Sequence, residues 1–511
     1  MNKRLLLVLC LFCACVSWAD VHITIANPKT WSTQELSDYV GQTVIFDSPL
    51  YICVNTSSTL VIAPWRHFQP NNQGVAGSAE YNQAIRANGC SISLSGVPSR
   101  SYDNPYRSGE KVYNLKAKVN DINNLTWISG EWRGNKRADL EAGIPDLGDY
   151  RLLVCGFNLE NYFMTLNSMG ARTNSERQAQ RAKISKALKR INADIYGLVE
   201  LEQGDEAIGE IVSDLNSNLP GRNYKFFHDA SSGSSQKSDF VYDANKVEPI
   251  GSPCEISTEL PNRKKMICFR EIETGEKFIY SINHFKSMNT GDEYRRVNEA
   301  RAVLDFYKSS YRQNPEIKDN DVLFMGDLNC YAKTEPIFVF TDRGMIDLHR
   351  AFHADSSYSY MYSRLASYID HAICNETLYP QVTGMAAFHI NSDEDDRYTY
   401  DKSDDETMFR CSDHDPVLVG LKLDGSIVYD PTPQLNSSDI ISGESNRLII
   451  KNAHKDGENS YYAIYTVNGL LLERKEILSV FYETELPQNA GVYVVYVYFD
   501  GQVYQRKMIV P

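Results

Sequence analysis

Beyond its first twenty residues the chain has no apolar run of the ~20 residues that a bilayer-spanning helix needs, which argues against an integral helical membrane protein. Basic residues are in the minority, 52 Lys and Arg against 66 Asp and Glu, for a formal net charge of −14. That balance excludes a protein that coats nucleic acid by bulk charge. It does not exclude a nuclease, because a bound divalent cation and a few local basic groups can neutralise the one phosphate being cut. Outside the leader no two cysteines have CxxC spacing, so a structural zinc site is not expected. The acidic run DEDDRYTYDKSDDE (393–406) lacks EF-hand spacing and reads as a solvated loop, with a Ca²⁺ loop as the alternative.

What is present describes an exported, ordered, multidomain chain. With 511 residues, 42% of them hydrophobic and 11% aromatic, it exceeds what one core usually holds. Residues 1–19 read as a signal peptide: Lys3 and Arg4, then an apolar stretch, then Ser17-Trp18-Ala19 as a small-residue cleavage site. Phe12-Cys13-Ala14-Cys15 loosely imitates a lipobox, which makes a lipid anchor on Cys15 the alternative to simple release. A secreted or outer-surface location and a monomer without a transmembrane segment are expected. Eight cysteines follow the leader, and an even number in an exported chain permits disulfides; Cys254–Cys268 and Cys374–Cys411 are the preferred pairs.

Three segments follow the leader. Residues 20–135 are rich in short strands and turns (VHITIA, QTVIFD, LYICV, TLVIA), with two-residue alternation continuing through Leu115, Ala117 and Val119. Over 148–423 strand and helix patterns alternate, as in an α/β (α+β) core. There a helix is expected to open at Ser175, with Gln178 completing a capping box and Ala179, Ile184, Leu188 and Ile191 on one face. A second is expected over residues 295–307. Residues 424–445, rich in Pro, Ser and Asp, read as a linker. Residues 446–511 form a compact β set with Asn468-Gly469 and Asp500-Gly501 as hairpin turns.

Chemistry concentrates in the middle segment. INHFK (282–286), GDLN (326–329) and SDHDP (412–416) each set His, Asp or Asn beside a strand-like apolar run. Taken singly, each string has an ordinary explanation: a solvated Glu, an Asx turn, a core histidine. Together with Asn158, Glu200 and Asp370 they supply what phosphodiester hydrolysis requires: carboxylates for a divalent cation, imidazoles for proton transfer, and amides. Four carboxylates (Glu200, Asp327, Asp370 and Asp413) brought to one place would repel one another, which itself implies a bound Mg²⁺ or Mn²⁺. Glu202 shares a strand face with Glu200 and competes with it, whereas His371 points away from Asp370 and reads as structural. Lys286 shares the face of His284 and is a candidate phosphate contact.

The order Asn158, Glu200, His284, Asp327/Asn329, Asp370, Asp413/His414 resembles the endonuclease/exonuclease/phosphatase (deoxyribonuclease I-like) family. The nearer likeness is to large bacterial extracellular nucleases, carried by FNLENYF, QRAKISKALKRINADIYGLVELE, NHFKS, GDLN, YIDHA and SDHDPV. The resemblance implies a four-layer fold, two β-sheets face to face with helices outside and the site at one rim. It implies metal-holding roles for Asn158, Glu200 and Asp413, and catalytic roles for His284, Asp327, Asn329, Asp370 and His414. Asn329 would donate to the phosphate, and Asp370 would fix the tautomer of His414. An acid often orients the His284-type imidazole in such proteins, and Gln236 and Asp239 are the candidates here. The N-terminal segment resembles an OB-like barrel, read either as a nucleic-acid platform or as a packing or secretion accessory. The last 65 or so residues resemble the Ig-like sorting domain of the type IX secretion system. The expected function is a secreted, metal-dependent endonuclease acting on extracellular DNA, with RNA as a further substrate. The alternatives are a same-fold phosphoesterase acting on sphingomyelin or inositol phosphates, and a surface binding protein whose catalysis has lapsed.

Overall fold

The computed structural model describes residues 21–510 apart from 56–58, 102, 232, 234, 289–290, 312–313, 315, 318, 396–406, 424–440, 443–446, 452–459, 467–470, 478–480, 488 and 500–501. The leader with Cys15, most of the linker, both C-terminal hairpin turns and most of the acidic run therefore lie outside the described residues.

The N-terminal part has seven strands: β1 (Val21–Ile23), β2 (Thr43–Phe46), β3 (Leu50–Asn55), β4 (Thr59–Ala63), β5 (Ile92–Ser95), β6 (Lys111–Asp121) and β7 (Asn124–Arg133). Their order is β1-β2-β6-β3-β4-β5-β7, and β7 pairs back onto β6, so five strands close into a ring. The β5–β7 pair is parallel, and β6 is long enough to pair with both β2 and β3. Leu115, Ala117 and Val119 point into the enclosed core, as their alternation predicts.

The middle domain continues with β8 (Leu152–Tyr162), β9 (Ile195–Glu202), β10 (Tyr224–Phe226), β11 (Gln236–Asp243), β12 (Val247–Glu255), β13 (Lys264–Glu271) and β14 (Lys277–Asn283). It is completed by β15 (Val322–Asp327), β16 (Ile346–Asp347), β17 (Tyr360–Tyr362), β18 (Leu365–Ser367), β19 (Asp370–Cys374), β20 (Val382–Ala387) and β21 (Val417–Leu421). Two six-stranded sheets form, β10-β11-β9-β8-β21-β20 and β12-β13-β14-β15-β19-β16. One core lies between the sheets. A second packs the first sheet against helices Asn174–Ile191 and Glu206–Asn218. A third packs the second sheet against helices Glu293–Phe306 and Glu335–Thr341. The four-layer expectation describes this arrangement. The strands read as continuous apolar runs because sheets covered on both faces have no solvent side. Gly197 lets the sheets close, since a Cβ there would sit 2.2 Å from the Tyr280 hydroxyl.

Topology places the site. The parallel pairs β8–β9 and β14–β15 bring four C-terminal strand ends to one rim. Strands β21 and β19 run antiparallel to β8 and β15, so their N-terminal ends arrive at the same rim.

Several sequence expectations need correction. The helix cap is Thr173, not Ser175: Thr173 accepts from the Glu176 N–H and Glu176 bonds back to the Thr173 N–H, two residues earlier than Ser175/Gln178. The second helix spans Glu293–Phe306. No described cysteine is in a disulfide. Cys374 lies between the two sheets and Cys411 in the core on the far side of the first, so a sheet separates them. Cys254 and Cys268 face Met266 and Ile250 across the β12–β13 ladder rather than each other. The acidic run does not begin as a solvated loop, because Asp393 and Glu394 are buried against the N-terminal part. Asp393 pairs with Arg66, and Glu394 accepts from Arg107 at 2.7 Å and Arg137 at 2.6 Å. Ile441–Ser442, within the expected linker, is already a strand paired with Arg447–Lys451.

The C-terminal part stacks two sheets, one of Ile441–Ser442, Arg447–Lys451 and Phe481–Glu485, the other of Tyr461–Thr466, Leu471–Glu476, Gly491–Phe499 and Gln502–Val510, around one core. It docks on the middle domain through Arg474, which pairs with Asp342 and lies over the Phe338 and Tyr461 rings.

Unreduced protein beginning at residue 21, denatured in guanidinium, should titrate with a thiol reagent at all eight cysteines. Four thiols fewer would instead restore the two expected pairs.

Candidate active site

Each rim residue is delivered by a strand end. Asn158 sits in β8, Glu200 near the end of β9, His284 one residue past β14, Asp327 at the end of β15, and Asp370 at the start of β19. His414 precedes β21 and forms an isolated bridge with Tyr360. The backbone is forced here: Glu160, Asn161, Glu200, Asn329 and Arg410 all have φ between 48° and 62°. Left-handed conformations of non-glycine residues cost on the order of 1–3 kcal/mol each and cluster at functional sites.

Asp327 is the hub. Its Oδ1 accepts the Asn329 N–H at 2.8 Å, and its Oδ2 accepts the side-chain amides of Asn158 at 3.2 Å and Asn329 at 3.1 Å. The imidazoles flank it, His284 Nε2 at 3.8 Å and His414 Nε2 at 4.0 Å from Oδ2. His284 Nε2 is also 3.6 Å from Glu200 Oε1. On the other side His414 Nδ1 meets Asp370 Oδ2 at 2.8 Å, which Ser359 Oγ also reaches at 2.7 Å. The His414 ring stacks on Tyr360 at 4.6 Å. Asp413 is more open to solvent, its Oδ1 3.9 Å from His414 Nε2.

The structure thus gathers all eight sequence-predicted site residues at one rim, but it alters the role of Asn329. The Asn329 amide already donates to Phe285 O at 3.2 Å as well as to Asp327, so it aims that carboxylate instead of standing free for phosphate. Asn158 likewise braces Asp327, while its Oδ1 accepts the Glu160 N–H at 2.9 Å. The competition between the two glutamates is resolved by their partners. Glu202 accepts the N–H groups of Met164 at 2.6 Å and Thr165 at 3.0 Å and holds a loop, whereas Glu200 faces the site. His371 bonds Cys330 O at 2.8 Å, a structural role. Lys286 turns toward Asp292 at 3.8 Å. Neither expected orienter reaches His284: Gln236 donates to Asn161, and Asp239 is held by Lys237 and Lys265. His284 Nδ1 is buried with no hydrogen-bond partner.

Sequence reasoning missed Arg263, Glu160, Ser359, Tyr360 and Ser412. Arg263 accepts the His284 N–H on its carbonyl at 2.8 Å, and Glu200 and Asp327 lie close enough for their charges to act on its guanidinium. Ser412 Oγ donates to Asn158 O at 2.7 Å and accepts the His414 N–H at 3.1 Å, locking two strings together. Ser412 and Glu160 lay inside quoted motifs, SDHDP and FNLENYF, without being singled out. Arg263 and Ser359 come from loops and Tyr360 from the short strand β17, whose sequence carries no spacing signal.

Electrostatics point to a missing positive charge. Burial first, then neighbouring carboxylates, push Asp327 up to about 8 and Glu160 up to about 8, and raise Glu200. Burial alone would lower His414, but Asp370 and Asp413 outweigh it and hold the imidazole well above its usual range. Burial, then Arg263 and Lys264, hold His284 well below it. Ligand atoms of Glu200, His284 and Asp327 lie within 4.8 Å of one another, as do those of Asp327, Asp370 and His414. A set of carboxylate and amide oxygens with imidazole and no thiolate suits a hard divalent cation.

Facing sheets with this rim chemistry define a phosphoesterase of the deoxyribonuclease I-like fold. The model of the endonuclease/exonuclease/phosphatase family matches residues 157–414, just over half of the chain, and the chain belongs to that family. Its members are hydrolytic phosphoesterases, generally dependent on a divalent metal. Among solved structures the chain is similar to an endonuclease/exonuclease/phosphatase family protein from Bacteroides thetaiotaomicron. The two share 19% identity with a TM-score of 0.39, over 53% of this chain and 98% of that one. A mannosyl-6-phosphatase from the same organism matches at 19% identity, TM-score 0.38, over 53% and 100%. The human Nocturnin catalytic domain with bound sulfate matches at 14% identity, TM-score 0.39, over 53% and 94%. No curated protein matches the chain.

The raised Asp327 carboxyl has a consequence for stability. Its folded pKa of about 8 lies above the ordinary 3.8, so the folded state binds this proton more tightly than the unfolded chain does. The group therefore subtracts stability as pH rises from about 4 to about 8. In EDTA, the melting-temperature difference between Asp327→Asn and the wild type should move in favour of the variant from pH 5 to pH 8. A flat difference would show that Asp327 ionises normally.

Proposed function

We propose that this protein is a secreted, cation-dependent nuclease that hydrolyses phosphodiester bonds in extracellular DNA, with RNA as a second substrate. The observation that carries the reading is the placement of Asp327 between two imidazoles of opposite surroundings, with Glu200 beside it. Glu200, Asp327, Asn158 and Asp413 would hold Mg²⁺ or Mn²⁺, which when bound supplies charge against the reacting phosphate and offsets the carboxylates around His414.

The chain's own groups do the rest. Asp370 takes the Nδ1–H of His414, so Nε2 is the atom that accepts the attacking water's proton. His284, on the far side of Asp327 and held neutral by burial, presents Nε2–H as a hydrogen-bond donor to the phosphate, and the departing 3′-oxygen takes its proton from water. In-line attack leaves 5′-phosphate and 3′-hydroxyl ends. The Asn158 and Asn329 amides keep Asp327 fixed, so the pocket needs little rearrangement during the reaction.

The flanking parts fit an exported enzyme. We read residues 20–135 as an OB-like barrel, because the ring β3-β4-β5-β7-β6 with a parallel β5–β7 pair has that connectivity. We read residues 446–511, with the strand Ile441–Ser442 added, as an Ig-like sorting domain that engages the type IX secretion machinery. Residues 1–19 are read as the signal peptide.

Purified protein should relax supercoiled plasmid in Mg²⁺ and stop in EDTA. His414→Ala should slow cleavage by about 10²–10⁴-fold with melting unchanged. Hydrolysis of sphingomyelin vesicles with intact plasmid would instead assign the site to lipid phosphodiesters, and unchanged rates in His414→Ala and Glu200→Ala would remove the mechanism.

A further inference from the structure

Three successive residues join the N-terminal part to the catalytic histidine. Tyr358 carries the Arg66 guanidinium 3.8 Å above its ring and donates its hydroxyl to Asp393 Oδ2 at 2.7 Å. Ser359 donates from Oγ to Asp370 Oδ2 at 2.7 Å, the same oxygen that meets His414 Nδ1. Tyr360 stacks on His414 and bridges it in the backbone.

A second path runs beside the first. The Tyr358 ring stacks on His389 at 3.8 Å and 2°, and His389 Nδ1 donates to Asp415 Oδ2 at 2.9 Å. Asp415 follows His414 directly, and its N–H donates to Ser359 O at 2.7 Å. Asp415 Oδ1 also accepts the N–H of Asn391 at 2.8 Å, and the Asn391 amide donates to His414 O at 2.6 Å. Both paths begin at Asp393, whose fully buried carboxylate is neutralised by Arg66 and bonded by Asn135 at 2.7 Å, two residues of the N-terminal part.

We infer that Arg66 is a positioning residue for the His414–Asp370 pair, and that the N-terminal part is therefore a component of the catalytic apparatus. Without its guanidinium, Asp393 is a buried carboxylate lacking its countercharge, and water or a rotamer change must relieve it. Either response moves Tyr358, and with it the Ser359 hydroxyl that aims Asp370 and the Tyr360 ring that backs His414. Arg137 serves the same domain contact through Glu394 and the Phe409 ring.

The inference rests on the phosphodiesterase reading, and the test separates the two. Full-length wild type, Arg66→Met, Arg66→Lys and Arg137→Met are compared on bis(p-nitrophenyl) phosphate in Mg²⁺, a diester too small to span both domains. Arg66→Met should lose about 10- to 100-fold in kcat with KM within twofold, because a small misplacement of catalytic groups acts on the reaction rather than on binding. Arg66→Lys should recover part of the loss, and Arg137→Met should keep wild-type kcat. The second readout needs no turnover. The low-field proton resonance of His414 Nδ1–H should broaden or shift in Arg66→Met and persist in Arg137→Met. Wild type inactive on both the small diester and DNA sinks the phosphodiesterase reading, and the resonance still decides the positioning role. Equal kcat losses in Arg66→Met and Arg137→Met, or an unmoved resonance in Arg66→Met, overturn the inference.

Discussion

Burying several carboxylates around one point is expensive, and most of the local structure at the rim can be traced to that expense. Glu160, Glu200, Asp327 and Asp370 are each largely withdrawn from water and sit close enough to repel one another. The chain meets the problem with fixed dipoles: amides of Asn158 and Asn329 on Asp327, a backbone N–H on Glu200, and a serine hydroxyl on Asp370. These bonds stabilise the anions only in part, so Asp327 and Glu160 still hold protons near neutral pH. What remains uncompensated is negative charge, which a divalent cation would offset. The left-handed backbone at Glu160, Asn161, Glu200 and Asn329 is the conformational counterpart of the same constraint, since it turns these groups inward together.

The domain contact applies the same physics with a different solution. Asp393 and Glu394 are as buried as the site carboxylates, but guanidinium groups neutralise them directly. Arginine suits this place because its planar, weakly hydrated head can pair with a carboxylate and lie on a ring at once. Arg66 lies over Tyr358, Arg137 over Phe409, and Arg474 over Phe338 and Tyr461 in the C-terminal contact. Removing one partner of a buried pair of this kind costs about 3–5 kcal/mol, much of it from the charge left behind.

The middle domain was legible in the sequence because its signals are local and redundant. An apolar run followed by GDLN or SDHDP is at once a buried strand and its functional end, so strand and site were read together. The helix capped by Thr173 begins two residues earlier than expected because Thr173/Glu176 and Ser175/Gln178 both satisfy the capping pattern. The burial of Asp393 and Glu394 was not legible. An acidic run looks solvated unless its partners are known, and here they lie more than 250 positions away at Arg66, Arg107 and Arg137. The absent disulfides fail for a similar reason, since spacing in the chain says nothing of the sheet that separates Cys374 from Cys411. Arg263 enters the site from a loop and Tyr360 from the three-residue strand β17, both too short to carry a periodicity.

The two flanking parts differ in what their removal would do to the middle domain. The C-terminal contact engages Phe338, Thr341 and Asp342, at the helix that covers the second sheet. None of these residues bonds a site residue, and Asp342, left alone, stands at a surface where water can solvate it. The N-terminal contact engages Asp393 and Glu394, beside the loop that carries Arg410, Ser412 and His414, and stripping it away would leave two interior anions without countercharge. A chain cut after residue 423 therefore keeps its rim intact by these contacts, whereas a chain begun at residue 148 does not. The boundary of the catalytic unit, drawn by charge rather than by sequence similarity, runs from the N-terminal barrel to β21.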